Sequence, residues 1–477
     1  MTANALLPAS DLEDADALVL FGITGDLAKK MLLPALYHLT EAGKLTVPVI
    51  GVAAGDWDDD ALRAHAREAI IAAGTDLDEA VFARLAPQLS IVTGDFTADD
   101  TFVRLRDAVD GLGFLAHYLA IPPSLFTTVA AALAKAGLNR NSRLIVEKPF
   151  GHDLDSAQQL QVELSRYFDE AHLLRVDHFL GNTAVESLMV SRFANTLLAP
   201  IWHRSYVDNV QITLAEDFDV AGRGSFYDGV GCLRDVVQNH LLQVLAYLAM
   251  DPPNVANARA QALEKWRVLH AARTMDPAAT VRGQYEGYQQ VEGVAPGSTT
   301  ETYFATRLFI DNWRWADVPF FIRSGKALAV TATEVVVELR RPPLELFAGT
   351  GTAGDIPPNL IRFRIDGDTG FRADLMVREP EAGMKPVRIP VGVDFAKVMG
   401  RQQLPYENIL SSAIEGDPET FAFYPTVLEC WRITEPVLDP AAPPAPYARG
   451  TWGPEGAGQL PGLNTWHELG PRLFGDV

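Results

Sequence analysis

Cysteine is nearly absent from this 477-residue chain, which contains only Cys232 and Cys430. Two thiols so far apart build no disulfide framework and give no paired zinc spacing, which suits a reducing cytoplasm. Positive charge is scarce as well: 40 Lys and Arg stand against 61 Asp and Glu, a formal net charge of -21. Such a field repels phosphate backbones and anionic lipids, so no nucleic-acid and no membrane partner is expected. An anionic small substrate then needs a local basic pocket. Long hydrophobic runs are also missing. The most apolar long stretch, residues 231–250, carries Arg234, Asp235, Gln238, Asn239 and His240, and it reads as a buried helix of a soluble protein. The start of the chain shows no basic-then-apolar signal, only an acidic run from Asp11 to Asp16, so a cytoplasmic protein is expected. No repeat and no metal-ligand cluster is visible, and no metal is expected. What the chain does have is apolar material, 48% of its residues, enough for two or three packed domains.

Residues 1–177 alternate between short apolar runs and helical periodicity. The runs are Ala17–Phe21, Val47–Val52, Leu89–Val92, Phe114–Ala120, Arg143–Glu147 and His172–Val176. Between them lie Leu32, Leu36 and Leu39 before a stop at Gly43, then Asp59–Ala73, Asp100–Gly111, Ser124–Ala136 and Asp155–Phe168. This grammar predicts an α/β, Rossmann-like, doubly wound parallel sheet. From His178 onward, residues 178–477, the pattern changes. Helical stretches at His178–Ala199 and Phe226–Met250 bracket an extended run, Ser205–Ala215. Strand-like runs follow at Thr302–Ile310, Val318–Arg323, Glu334–Leu339, Asn359–Ile365 and Phe371–Val377. They predict a larger α+β domain with a mainly antiparallel sheet. Pro440–Pro446 and Gly450–Gly462 read as a tail on the surface.

The first run ends in Phe21-Gly-Ile-Thr-Gly-Asp-Leu-Ala-Lys-Lys30. Gly22 and Gly25 allow a tight turn and a close approach of backbone to a pyrophosphate at the start of the next helix. The longer string, continuing through Leu-Pro-Ala-Leu-Tyr37, resembles the N-terminal signature of the glucose-6-phosphate dehydrogenase family. Ordered matches continue at Tyr118–Pro123, Val146-Glu-Lys-Pro-Phe-Gly151, Arg175-Val-Asp-His-Phe-Leu-Gly181 and Arg192–Asn195. Further ones are Arg234–Gln243, Val318–Lys326 and the string Gly450–Pro454, so the resemblance covers nearly the whole chain.

Oxidation of a sugar hydroxyl requires a base for its proton and an oriented nicotinamide. His240, set among polar residues in an apolar helix, matches the family's general base. The resemblance gives Asp177 the role of orienting that imidazole, although Asp177 equally suits a helix cap. Lys148 matches a lysine that contacts both substrate and cofactor. His178, Glu216, Asp235 and Lys326 match positions lining the sugar site, and Glu216 or Asp235 could otherwise pair with Arg223 or Arg234. For the cofactor, NAD or NADP, the matched positions are Gly22, Thr24, Gly25, Asp26, Leu27, Tyr118 and Lys148. The implied activity is oxidation of the C1 hydroxyl of glucose 6-phosphate to 6-phosphogluconolactone. A homodimer or homotetramer is implied too. A non-catalytic sensor is the reading from another class, and retention of His240, Asp177 and Lys148 speaks against it.

Departures from the family pattern cluster at the phosphate end of the substrate. Phe179 stands where tyrosine is common, Asn182 where lysine is, Thr331 where arginine or lysine is, and Met31 replaces a lysine. Two lost charge-assisted contacts would weaken phosphate recognition by roughly 3–6 kcal/mol, about a hundred-fold to ten-thousand-fold. An aldose 1-dehydrogenase for an unphosphorylated or differently substituted sugar is therefore the alternative. At the cofactor end, Ala54-Gly55-Asp56 carries no arginine for a 2′-phosphate, and Asp58, Asp59 and Asp60 follow. An acidic residue there accepts from a ribose 2′-hydroxyl, so NAD is expected to serve at least as well as NADP.

Overall fold

The computed structural model describes residues 13–344, 346–347, 356–380, 384–439, 442–462 and 464–474. Asp11 and Leu12 of the acidic run and Pro440 of the proline patch lie outside them. The chain forms two units, one of residues 1–183, 253–264 and 403–428, the other of 184–252, 265–402 and 429–477.

The first unit is built on six parallel strands: β1 (Ala17–Phe21), β2 (Val49–Ala53), β3 (Leu89–Thr93), β4 (Leu115–Leu119), β5 (Ser142–Val146) and β6 (Leu173–Arg175). Their order is β3-β2-β1-β4-β5-β6, so the winding reverses between β1 and β4. Successive side chains of a strand point to opposite faces. Leu18 and Leu20 accordingly join one core with helices Leu33–Glu41 and Asp59–Ala72, whereas Ala17, Val19 and Phe21 join another with Phe126–Lys135. Helix Pro405–Glu415, contributed from far along the chain, seals the first of these cores through Ile409, Leu410 and Ala413.

The second unit holds a nine-stranded sheet. Its strands are β7 (Val207–Ala215), β8 (Thr280–Tyr285), β9 (Tyr303–Leu308), β10 (Phe320–Gly325), β11 (Ala332–Leu339), β12 (Leu360–Arg364), β13 (Gly370–Arg378), β14 (Pro386–Asp394) and β15 (Ala445–Tyr447). The order is β14-β13-β12-β11-β7-β10-β9-β8-β15, antiparallel except at β7–β10 and β8–β15.

Two sequence expectations need correction and a third needs refining. The helix expected over His178–Ala199 covers only Thr183–Phe193. Asp177 turns the chain first: its carboxylate accepts from the Phe179 N–H at 3.0 Å and its carbonyl from the Leu180 N–H at 2.8 Å. The helix expected over Phe226–Met250 is broken after Gly224–Asp228, where Gly231 takes φ 72°. It resumes as a π-helix at Leu233–Leu241 and an α-helix at Leu242–Ala249. The tail runs over the surface, with residues 442–446 exposed or half-buried, but it is pinned by aromatic side chains. Tyr447 of β15 is buried, and Trp452 and Trp466 hold the Arg323 guanidinium at 4.6 and 4.3 Å from their ring centres. Aromatic rings supply enough apolar area to offset the ordering of a proline- and glycine-rich segment.

Candidate functional site

The turn after β1 meets the demands of a pyrophosphate cradle. Gly22 adopts φ 79°, and a Cβ there would lie 2.3 Å from the Ala120 carbonyl oxygen, so only glycine fits. The Gly25 N–H donates to the Gly22 carbonyl at 2.9 Å, and the next helix begins at Asp26. Thr24, Gly25 and Leu27 are half-buried, and exposed Asp26 pairs with Lys30 at 3.3 Å. This helix start lies at the carboxyl end of β1, beside the switch to β4, where doubly wound sheets take nucleotides. The residues present therefore fit a dinucleotide.

After β2 the acidic residues have separate duties. Asp58 caps helix Asp59–Ala72, accepting from the Ala61 N–H at 2.8 Å. Asp59 accepts from the Ile91 N–H at 2.9 Å, and Asp60 pairs with Arg63 at 3.0 Å. Asp56 remains exposed at the turn.

Lys148 is half-buried just past β5 and is followed by a cis peptide to Pro149. Tyr118 is fully buried in β4, and its hydroxyl donates to Glu147 Oε1 at 2.5 Å. Its side chain is thus committed to Glu147 within the unit. Glu147 was not singled out from sequence, nor was Tyr406. The Tyr406 hydroxyl also hydrogen-bonds the Glu147 carboxyl, which accepts in addition from the Lys148 N–H. Burial drives Glu147 up to about 7 against the pull of these three donors and of the Lys148 charge. His178 stacks on the Tyr406 ring, with centres 6.2 Å apart and planes 17° apart. Asp177, next to it, is buried.

The second unit gathers its own predicted residues. Lys326 leaves the end of β10 and is buried between carboxylates: Glu216, just past β7, is in direct contact, and Asp235 lies at 3.8 Å. Arg223 stacks on Phe226 at 5.2 Å, and Arg234 reaches Asp439 at 3.5 Å. The C-terminal segment holds the lysine's backbone, since the Tyr447 hydroxyl donates to the Lys326 carbonyl at 2.7 Å. His240 is buried in the π-helix. There N–H groups bond five residues back, so residues five apart, such as Asp235 and His240, turn toward one face. Asn239 stabilises this winding: its amide donates to the Arg234 carbonyl at 3.1 Å, and its oxygen accepts from the His240 N–H at 2.7 Å.

The departing positions are apolar, neutral or acid-bound. Phe179 is buried against His178, Asn182 is half-buried and Met31 is exposed. Thr331 exchanges hydrogen bonds with Asp217, donating to its carboxylate and accepting from its N–H at 3.0 Å.

Comparison with known proteins agrees over the full length of this arrangement. The family model described as "Glucose-6-phosphate dehydrogenase, NAD binding domain" matches residues 19–187, and the C-terminal domain of the same family matches 189–467. Glucose-6-phosphate 1-dehydrogenase 1 of Mycobacterium tuberculosis is 44% identical over 446 residues, spanning 94% of each chain. The crystal structure of glucose-6-phosphate 1-dehydrogenase from Mycobacterium avium superposes with a TM-score of 0.89 at 46% identity, over 96% of this chain and 99% of that one. A glucose-6-phosphate dehydrogenase solved in complex with its substrate glucose 6-phosphate gives a TM-score of 0.88 at 30% identity, over 97% of this chain and 100% of that one. With both family models matched in order and a relative this similar end to end, the chain belongs to the glucose-6-phosphate dehydrogenase family.

Proposed function

We propose that this chain oxidises the C1 hydroxyl of glucose 6-phosphate to 6-phosphogluconolactone. The observation that carries the reading is the buried set in the second unit: Lys326 between Glu216 and Asp235, with His240 one π-turn beyond Asp235. The carboxylates suit sugar hydroxyl donors, and the lysine holds them in place without leaving them uncompensated. His240 takes the C1 hydroxyl proton, and Asp177 keeps the orienting role that the family resemblance gives it. Lys148 and His178 belong to the sugar-binding side of the first unit, and residues 1–177 serve as the dinucleotide-binding domain. The turn Gly22–Leu27 holds the nicotinamide cofactor, which when bound supplies the hydride acceptor. NAD serves at least as well as NADP, because no arginine follows β2 and Arg63 is spent on Asp60 and on the Ala86 and Leu89 carbonyls.

The deciding experiment compares kcat/KM for glucose 6-phosphate and for glucose, with NAD and NADP in turn. A strong preference for the phosphorylated sugar is expected. Equal or better activity with glucose would overturn the substrate and turn attention to Asn182 and to the Asp217-bound Thr331. A tenfold preference for NADP, on the order of 1.4 kcal/mol, would overturn the cofactor reading. Assembly as a homodimer, or a homotetramer built from it, is proposed through β13 and β14, where Leu375, Val377 and Val391 are exposed. A monomer mass by light scattering would refute it.

A further inference from the structure

We infer that Glu147 is a positioning residue, whose carboxylate sets the Lys148 peptide on one side and, through Tyr406, the His178 ring on the other. This rests on the reading of Lys148 and His178 as sugar-site residues. The geometry is complete within the first unit. Glu147 is 8% exposed and receives the Tyr118 hydroxyl from β4 at 2.5 Å. It also receives the Tyr406 hydroxyl from helix Pro405–Glu415 and the Lys148 N–H next along the chain. A carboxylate accepts all three donors at once, but a protonated carboxyl must itself donate, so a tyrosine hydroxyl must then turn to accept or withdraw. That change at Tyr406 loosens the support of the His178 ring, and the neutral oxygen holds the peptide that aims Lys148 less strongly.

The charged and titratable groups facing this carboxyl are Tyr118, Tyr406 and Lys148, and the Asp177 charge also acts on Tyr406. Burial brings the Glu147 ionisation to about 7, so the arrangement is complete above neutrality and loosens below it. The aromatic hydroxyls do not compete for the charge, since both tyrosines are pushed further up by burial and by Glu147 itself. Lys148 therefore draws its orientation from a group that never needs to touch the sugar.

The test is kcat/KM for glucose 6-phosphate across pH in the full-length protein and in Glu147→Gln, whose amide imitates the protonated carboxyl. At about pH 8 the variant should be impaired by about tenfold to a hundred-fold, mostly in KM, as expected for losing a hydrogen bond to a charged group. At about pH 6 the ratio of the two proteins should shrink towards one, because the parent's Glu147 is then mostly protonated and as neutral as the glutamine. A merely structural role would give a ratio independent of pH, and that result, or full activity at the higher pH, overturns the inference. Tyr406→Phe is the second variant. It keeps the ring under His178 but withdraws one donor, so the acid limb of the profile should move to higher pH, and an unmoved limb also counts against the inference. Lys148→Ala separates the two levels. If it is unimpaired, the underlying site reading fails; if it is impaired while Glu147→Gln is not, only the positioning role fails.

Discussion

With His240 as the proposed base, His240 and Asn239 divide a task that one residue cannot perform. A base must be buried enough to meet its substrate without competing water, yet its backbone must stay satisfied where the helix changes winding. The Asn239 side chain does the second job, accepting the His240 N–H at 2.7 Å, and leaves the imidazole for the first. Replacing His240 by Asn should lower kcat by about 10²–10⁴ with little change in KM for the sugar. Steady-state kinetics with near-normal turnover would remove His240 from the role of base. Lys326 shows the complementary logic. Its charge compensates Glu216 and Asp235, and its backbone is anchored by Tyr447, so a lysine at this position orders two hydroxyl acceptors as well as adding a cation.

Elements place these residues through conformations that ordinary helices and strands do not supply. The π-helix over Leu233–Leu241 turns Asp235 and His240 toward one face, which α-winding would separate by more than a third of a turn. The turn after β1 depends on Gly22, whose positive φ and 2.3 Å approach to the Ala120 carbonyl exclude any side chain. Gly22→Ala should therefore force β1 and β4 apart at the nucleotide end. We expect a loss of about 1–3 kcal/mol or more in unfolding free energy and a weaker Kd for NAD. Equilibrium denaturation and NAD titration by fluorescence check both parts, and an unchanged Kd would mean that the cradle lies elsewhere. The half-exposed strands β8 and β14 lean on their neighbours. Their burial patterns show no strict alternation, and β14 contains two prolines beside its alternating Val387, Ile389, Val391 and Val393, so pairing with β9 and β13 supports them.

At the scale of the molecule, two buried groups in the parallel sheet make stability depend on pH in opposite senses. His117 is fully buried with its ring nitrogen 2.9 Å from the Leu138 carbonyl, and burial lowers it to about 4. Between about 4 and the unfolded value of 6.5, the unfolded chain binds one more proton than the folded one at this site, so stability falls as pH drops. Glu147 is raised from 4.5 to about 7. In that window the folded chain holds the extra proton, so stability falls as pH rises. The two slopes nearly cancel where the windows overlap. Denaturant unfolding should uncouple them: His117→Gln should lose stability as pH rises from about 4.5 to 6.5, and Glu147→Gln should gain it, each by about 1.4 kcal/mol per pH unit. Parallel slopes in the two variants would refute the assignment.

Much of this organisation was legible in the chain itself. Apolar runs separated by helical periods gave away β1 to β6, because strands buried on both faces are continuously apolar and the chain between them must cross over. Motifs such as Gly22–Leu27 and Val146–Gly151 were readable because the turn or extended backbone they impose is local. The π-winding was not legible, since the same residues suit an α-helix and only packing against the sheet selects the wider turn. Nor was the tail's anchoring, since its proline and glycine content conceals that Tyr447 is a core residue and that Trp452 packs half-buried against the same cluster. Glu147 was visible beside Lys148 but meaningless there, because its second tyrosine arrives from residue 406. Composition, strand period and the local motifs are properties of neighbouring residues, so the sequence alone determined them. Which buried carboxyl meets which hydroxyl depends on segments far apart in the chain, and that only tertiary packing decided, by removing the water that would otherwise have satisfied each group alone.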